Sequence, residues 1–516
     1  MRRILKTILL VALLFGVGRA SAQDSNPNNA LLYSNQATLF GSQNSASDPV
    51  SIILPGTAFR SGQGSFIDNP ASMALHRTSF GELGLSFRTV DESATFLGNN
   101  RALDDNQSGI SNIGFLYSFP TVQGSFVFGA GYTQHSVHNR ALGFRGRNEN
   151  STITDKFKAE GSPYQEIAFN TFATDFGDEF EDWDESIFRI GFDQWGDFLG
   201  VTQQGEIIQR GYSGEYSMFF ATEFQENLMF GASIGLLSGR FNYSRIFQEV
   251  DEFNDYDSAF IDSNDDGVGD TDIDNILLDD QLRSRYIGFR ARAGLIYRIN
   301  DHFNIGGSYT FPTSIEVDEV FDANIRTTFN NGVEFSDDTG IEFSYKIINP
   351  SIISLGAGIT DISGLSASFS ADYTNYQNTT IDFEGSELFE DELIENDFIN
   401  ENYRSVWSLR SGLAYQLSPE FTVRGGYQYH PSRYINGNDH KHVYGFGAGI
   451  LLTRNVQLDL AAQYTAWDEV SSVYDYAQYN YSPLPDSSPG ITFRSQEADR
   501  SIDRWHLMGT VRVNFQ

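Results

Sequence analysis

The densest run of chemistry-bearing side chains lies between Gln248 and Leu282, where thirteen Asp and Glu residues occur without a single Lys or Arg. Within it, DSNDDGVGD sets Asp262, Asn264 and Asp266 at positions one, three and five, with Gly267 at six, the Val268 carbonyl at seven and Asp270 at nine. That spacing suits the oxygen ligands of a calcium loop. Position twelve is Ile273, where a bidentate Glu belongs, with Asp274 one residue further on. The expectation is a structural calcium here, set against a plain solvated acidic loop, and no cofactor is otherwise required.

Enzymatic chemistry finds little purchase. Asp439, His440, Lys441 and His442 are adjacent and could form a metal or acid-base pair, but no serine nucleophile can be placed beside them. The chain has no cysteine, which excludes thiolate catalysis, a disulfide framework and a lipoprotein anchor. The reading is therefore of a protein that is not an enzyme. Two aromatic stripes offer a surface for apolar ligands instead. Phe169, Phe172, Phe176 and Phe180 run i, i+3, i+7, i+11, and Phe188, Phe192, Trp195 and Leu199 run i, i+4, i+7, i+11. Both are spacings of helical faces, expected either to pack on each other as a lid or to hold cargo in a greasy groove.

The elements that carry these residues are strands. RWHLMGTVRVNFQ at the C-terminus alternates apolar or small residues (Trp505, Leu507, Gly509, Val511, Val513, Phe515) with polar ones, Met508 excepted. Fourteen such segments are predicted, at 79–90, 110–120, 124–136, 212–224, 227–249, 283–299, 302–320, 339–360, 364–381, 403–417, 420–432, 441–453, 455–469 and 502–516. Minimal turns alternate between them with long polar connections, and aromatic residues gather at strand ends. An even count of amphipathic strands with short connections at one end and long ones at the other is the pattern of an outer-membrane barrel, apolar face to lipid. The long connections, about 137–211 and 250–282, are then external loops.

MRRILKTILLVALLFGVGRASA has the basic start, short apolar run and small-x-small ending of a signal peptide cleaved after Ala22. Its loss removes four cations and no acid, taking the formal charge from −34 to −38. So acidic a chain should repel nucleic acid. Residues 23–78 are rich in Ser, Asn, Gly and Pro and precede the first strand. Because a barrel of fourteen strands would otherwise leak solutes, they are expected to form a plug in the lumen. On the inward faces fall Arg290, Arg292, Arg298, Arg410, Arg424 and Arg512. They are expected to pair with luminal and plug carboxylates such as Asp459 or Asp372, or to hold the head group of a fatty acid.

FIDNPASMAL, just ahead of the first strand, resembles the Asn-Pro-Ala element closing the hatch of the long-chain fatty acid transporter family, the FadL-type barrels that include toluene and xylene uptake proteins. Asn69, Pro70 and Ala71 fall on that element. YIGFRARAGLIYRINDHFNIGGSYTFPTSIEV resembles the family's central hairpin and FTVRGGYQYHPSRY its late upward strand. The Gly-rich stretch that the family places before the element is kept only in part, and residues before Pro55 have no counterpart in it. The resemblance implies an all-β, 14-stranded antiparallel transmembrane barrel with an N-terminal hatch, monomeric, in the outer membrane of a Gram-negative-type bacterium. It implies passive uptake of hydrophobic small molecules, with capture by external loops, hatch rearrangement and lateral exit through a wall gap near a kinked third strand. Gly129 and Gly131 of the third strand are the candidates for that gap. The alternative is a non-transporting barrel of this fold acting as a binding or secretion-associated adaptor.

Overall fold

A computed structural model describes residues 33–41, 48–121, 124–158, 162–176, 184–190, 198–257, 261–264, 266–384, 389–480 and 490–515. The proposed signal peptide and its cleavage site lie outside them.

The wall begins with β1 (Ser79–Phe96), β2 (Asn99–Phe119) and β3 (Phe126–Asn148). A small external hairpin follows, β4 (Thr174–Phe176) with β5 (Asp184–Ser186). The wall resumes as β6 (Val201–Gln225), β7 (Leu228–Val250), β8 (Ile273–Arg298), β9 (Phe303–Thr310), β10 (Thr313–Phe329), β11 (Glu334–Asn349), β12 (Ile352–Ile362), β13 (Leu365–Asn375) and β14 (Thr380–Asp382). It ends with β15 (Ser405–Ser418), β16 (Phe421–His430), β17 (Lys441–Thr453), β18 (Val456–Asn480) and β19 (Gly490–Phe515). β19 pairs antiparallel with β1, from Ser79↔Phe515 to Thr95↔Asp499, so the sheet is closed.

Three breaks fall within single paths across the wall. β9 and β10 are parted at Phe311-Pro312, and β11 and β12 at Pro350-Ser351, because proline brings no N–H to a ladder. β13 and β14 are parted by a single turn at Tyr376–Asn378. Counted as paths, the seventeen sheet segments make fourteen strands, which is the predicted wall.

The faces follow the alternation. On β19, Leu507 is 45 % exposed and Met508 4 %. Outward side chains meet lipid, and rings pair along the strand ends, with Tyr464 on Trp505 at 5.0 Å, Tyr373 on Trp407 at 5.1 Å and Phe119 on Phe126 at 5.1 Å. Met508, the apolar exception on the inward face, belongs to a cluster with Val50, Ile52, Ile53 and Leu54 of the plug.

Several strands reach further outward than the sequence pattern predicts. β1 and β2 join through a two-residue turn in which Leu97 (φ 47°) and Gly98 (φ 78°) are both left-handed, so the polar stretch 91–109 is ladder rather than loop. β3 and β6 stay paired as far as Asn148↔Val201. Beyond the lipid band neither face needs to be apolar, so the period-two signal fades although the hydrogen bonds continue.

Candidate functional site

Residues 48–78 fill the inner part of the barrel. Asp48 ties the start of this plug together by accepting from the N–H groups of Val50, Ser51 and Gly64. Asn69 ties its end to the wall. The Asn69 Oδ1 caps the short helix Pro70–Leu75 by accepting from Ala71 N at 2.9 Å. Its Nδ2 donates to Thr57 O within the plug (2.7 Å) and to Leu295 O and Gly307 O of the wall (3.1 and 3.3 Å). Pro70 and Ala71 press so closely on β7 that a Cβ at Gly231 would stand 2.4 Å from Ala71 N. A charged tie lies beside them, Arg410 Nη1 to Asp68 at 2.8 Å and Nη2 to Asp372 at 2.9 Å, all three groups lying within the lumen. Burial raises the Asp68 carboxyl above its ordinary range while Arg410 pulls it down.

The six luminal arginines singled out from sequence all find carboxylates, Arg298 meeting Glu223 at 3.2 Å and Arg512 meeting Glu82 at 2.9 Å. Arg424 meets Asp459 at 2.8 Å. Arg292 grips Glu215 through both terminal nitrogens (2.7 and 2.8 Å), and His135 Nε2 reaches the same carboxylate at 2.8 Å. Arg290 stands 3.7 Å from Glu215 and donates to Thr313 Oγ1 and to Gly41 O. Two guanidiniums thus share one carboxylate, and buried nitrogens of both, Arg290 Nη1 and Arg292 Nε, make no hydrogen bond. Glu215 and Asp68 were not singled out from sequence. Glu215 is a lone acid at an inward strand position and Asp68 a lone acid of the plug, and only the assembled fold shows which arginine each faces.

Above the plug the interior is apolar. One cluster of buried side chains joins Phe241, Phe247, Leu278 and Tyr286 of the wall to Phe157, Tyr164, Ile167 and Phe188 of the external connections. The predicted stripes are built differently from expectation. A helix runs only over Gln165–Asn170, because Phe172 turns left-handed (φ 57°) and the chain enters β4. Phe169 still meets Phe176, ring centroids 4.8 Å apart, and Phe172 meets Phe335 at 4.9 Å. Phe188 sits in a turn against Tyr256 at 4.9 Å. Phe180, Phe192 and Trp195 lie outside the described residues.

The wall has an unpaired seam. β2 and β3 are paired only from Phe119↔Phe126 to Asn112↔Thr133. Outward of that point β2 is paired on one side only, with β1, and β3 with β6. A bulge between Gln134 and Ser136 lets β3 lean into the lumen, where residues 133–139 are all buried. There Gln134 Oε1 accepts from Ser86 Oγ (3.4 Å), and Arg140 reaches Glu92 of β1 and Glu469 of β18, each at 2.6 Å. Gly129 and Gly131 lie below the opening, in the paired stretch. A Cβ at Gly129 would strike the Phe219 ring at 2.2 Å, and one at Gly131 the plug's Gln63 at 2.5 Å, so these glycines allow close packing instead of parting the wall.

The acidic loop spends its oxygens locally. Asp262 accepts from the N–H groups of Asn264, Asp266 and Gly267, Asp266 from Val268 N, and Asp270 from Ser263 N and Asn264 Nδ2. Among the described residues no group of three or more His, Asp or Glu is placed to hold a metal ion. His440 accepts from Ser432 N and His442 meets the Tyr427 hydroxyl, so both imidazoles are engaged with the framework of their own loop and strands.

A family model described as outer membrane protein transport protein (OMPP1/FadL/TodX) matches residues 226–488. Among solved structures, the toluene transporter TodX of P. putida is similar at 13 % identity over 91 % of this chain and 98 % of that one, TM-score 0.51. A FadL homologue of Pseudomonas aeruginosa is similar at 12 % identity, 92 % and 98 % coverage and TM-score 0.46. The toluene transporter TbuX of Ralstonia pickettii is similar at 15 %, 91 % and 98 % with TM-score 0.43. The likeness to TodX concerns the fold. No curated protein sequence matches.

Proposed function

The chain belongs to the outer membrane protein transport protein family (OMPP1/FadL/TodX), and from that membership we propose that it takes up hydrophobic small molecules passively, releasing them sideways through the β2–β3 seam. The observation that carries the proposal is the position of that seam. It opens above the plugged inner lumen, where the β2–β3 ladder ends beside the largely aromatic and aliphatic outer lumen. An apolar molecule held above the plug faces the plug and its ion pairs ahead of it, whereas the seam, with no backbone ladder across it, leads towards lipid. Passing directly into lipid avoids rehydration, at about 0.8 kcal/mol per CH₂. The shared carboxylate of Arg290 and Arg292 leaves cationic capacity for one anionic head, which favours long-chain carboxylates over neutral hydrocarbons as cargo.

The test is to close the seam. A Cβ at Gly109 on the free edge of β2 would lie 3.9 Å from Gln134 Nε2 on β3. Cysteines at Gly109 and Gln134, in a chain with no others, can be bridged by a short bifunctional thiol reagent. Uptake of a radiolabelled C18 carboxylate should fall at least tenfold in the bridged protein and stay normal in either single variant treated alike. Undiminished uptake through a bridged seam would refute lateral release.

A further inference from the structure

The outer lumen holds an unexpected occupant. The helix Tyr33–Gly41, which precedes the stretch resembling the family hatch, lies above the plug, with seven of its nine residues buried. Its two aromatic side chains fill two recesses. Tyr33 enters a cage of Tyr345, Phe383 and Phe343, centroids at 4.8, 5.2 and 6.1 Å. Phe40 stacks on Tyr286 at 4.3 Å and meets Phe241 at 5.8 Å. At the C-terminal end, Gly41 O accepts from Arg290 Nη2 at 3.3 Å.

The helix owes its form to where it sits. YSNQATLFG is too short to be helical alone and carries polar residues on more than one side. Its polar groups are met by the wall and the external connections. Ser34 N donates to Glu395 and Ser34 O accepts from the Tyr403 hydroxyl, while Gln36 Oε1 accepts from Tyr345 at 2.6 Å and Asn35 Oδ1 from Arg433 at 3.2 Å. The recess that Phe40 fills is lined by Tyr286 and Phe241 and adjoins the Arg290 guanidinium, which is the shape an amphipathic anionic cargo requires.

We infer that the helix Tyr33–Gly41 is a built-in competitor for the outer cargo site: its Phe40 ring and Gly41 carbonyl stand in for the apolar body and terminal oxygen of the cargo, and the two cannot be bound together. The inference rests on the proposed uptake of hydrophobic molecules and names the site at which cargo is first enclosed. Only six residues, 42–47, join the helix to Asp48 of the plug.

A lock tests it. A Cβ at Gly41 would lie 2.1 Å from Asn349 Cγ, so Gly41→Cys with Asn349→Cys should form a disulfide fixing the helix to β11. The readout is fluorescence titration of detergent-purified protein with cis-parinaric acid, a C18 polyene carboxylate. Folding is checked by the gel mobility of unboiled protein. The oxidised double variant should bind at least tenfold more weakly than its reduced form. Phe40→Ser and deletion of 33–41 should each bind at least tenfold more tightly than the unmodified chain. Equal binding by oxidised and reduced forms, with the deletion variant binding the probe, would overturn the competitor alone. Absence of binding by every folded form, the deletion included, would overturn the cargo reading and the competitor with it.

Discussion

Replacing Asn69 by alanine should release the plug without unfolding the barrel. The side chain makes one accepted and three donated hydrogen bonds in a buried setting. Loss of the cap costs about 1 kcal/mol. Leaving the Thr57 carbonyl buried without its donor costs roughly 1 to 3 kcal/mol more. The sum, about 3 kcal/mol, changes the docked-to-undocked ratio of the plug on the order of a hundredfold. The wall is closed by ladders that do not involve this side chain, so unboiled protein should keep its folded mobility on a gel. Hydrogen exchange read by mass spectrometry should show faster exchange in peptides from 56–72 and none in β18 or β19. Asn69→Asp separates cap from latch. Aspartate caps a helix as well as asparagine, but it sets a carboxylate against three carbonyls and should not restore protection. Unchanged exchange of 56–72 in Asn69→Ala would refute the latch, and full protection in Asn69→Asp would reduce it to a cap.

Gly231→Val should keep Pro70 and Ala71 from seating, because the added Cβ would stand 2.4 Å from Ala71 N; planar-bilayer recordings should show conductance absent from the unmodified protein. Arg410→Met strands Asp68 and Asp372 in the lumen, a loss of roughly 3 to 5 kcal/mol, and a double-mutant cycle with Asp68→Asn should recover part of it. At the outer mouth, burial raises the Glu395 carboxyl from 4.5 to about 7. To the extent that the helix supplies this burial, its docking is strongest where the carboxyl is protonated and weakens as pH rises through 7, the Ser34 N–H offsetting part of the loss by donating to the carboxylate. Protection of 33–41 from exchange should fall between pH 5 and 8, and Glu395→Gln should abolish that dependence.

The wall was legible because lipid imposes a strict rule: inside the bilayer every outward side chain must be apolar, so alternation marks each crossing. Outside the bilayer the rule lapses, and the outer stretches of β1, β2, β3 and β6 lose the alternation although their ladders run on. The inward arginines were legible from the same alternation, as were Asp459 and Asp372 among their partners, but Glu215 was not. Arg292 finds Glu215 two strands away through curvature that no local pattern records. The third-strand glycines illustrate a different limit. Glycine at an inward position signals a close approach, and in Gly131 the approach is by Gln63 of the plug; the opening itself begins at a bulge of ordinary residues, Gln134 to Ser136. The calcium-like spacing has a similar ambiguity, since Asp and Asn two and four residues apart serve equally well to accept from the backbone of their own loop.

The same division of the interior bears on why a plugged barrel can serve uptake. Towards the periplasm the lumen is crossed by paired charges, Arg410 with Asp68 and Asp372, Arg424 with Asp459, Arg512 with Glu82. Drawing an alkyl chain through them would separate buried pairs at several kcal/mol each. The outer lumen is lined largely by rings and aliphatic side chains, with fewer buried pairs such as Arg245 with Asp280 among them. A guest driven inward therefore meets several ion pairs at the plug, whereas the seam has no β2–β3 backbone ladder and is crossed by side-chain bonds such as Asn139 to Asp105, a lower barrier. If that ordering governs passage, weakening the plug through Asn69→Ala should raise ion conductance while leaving uptake of a C18 carboxylate within about twofold of normal, and bridging Gly109 to Gln134 should do the reverse. Plug-weakened protein that gained carboxylate uptake in proportion to its conductance would place the route through the plug and not beside it.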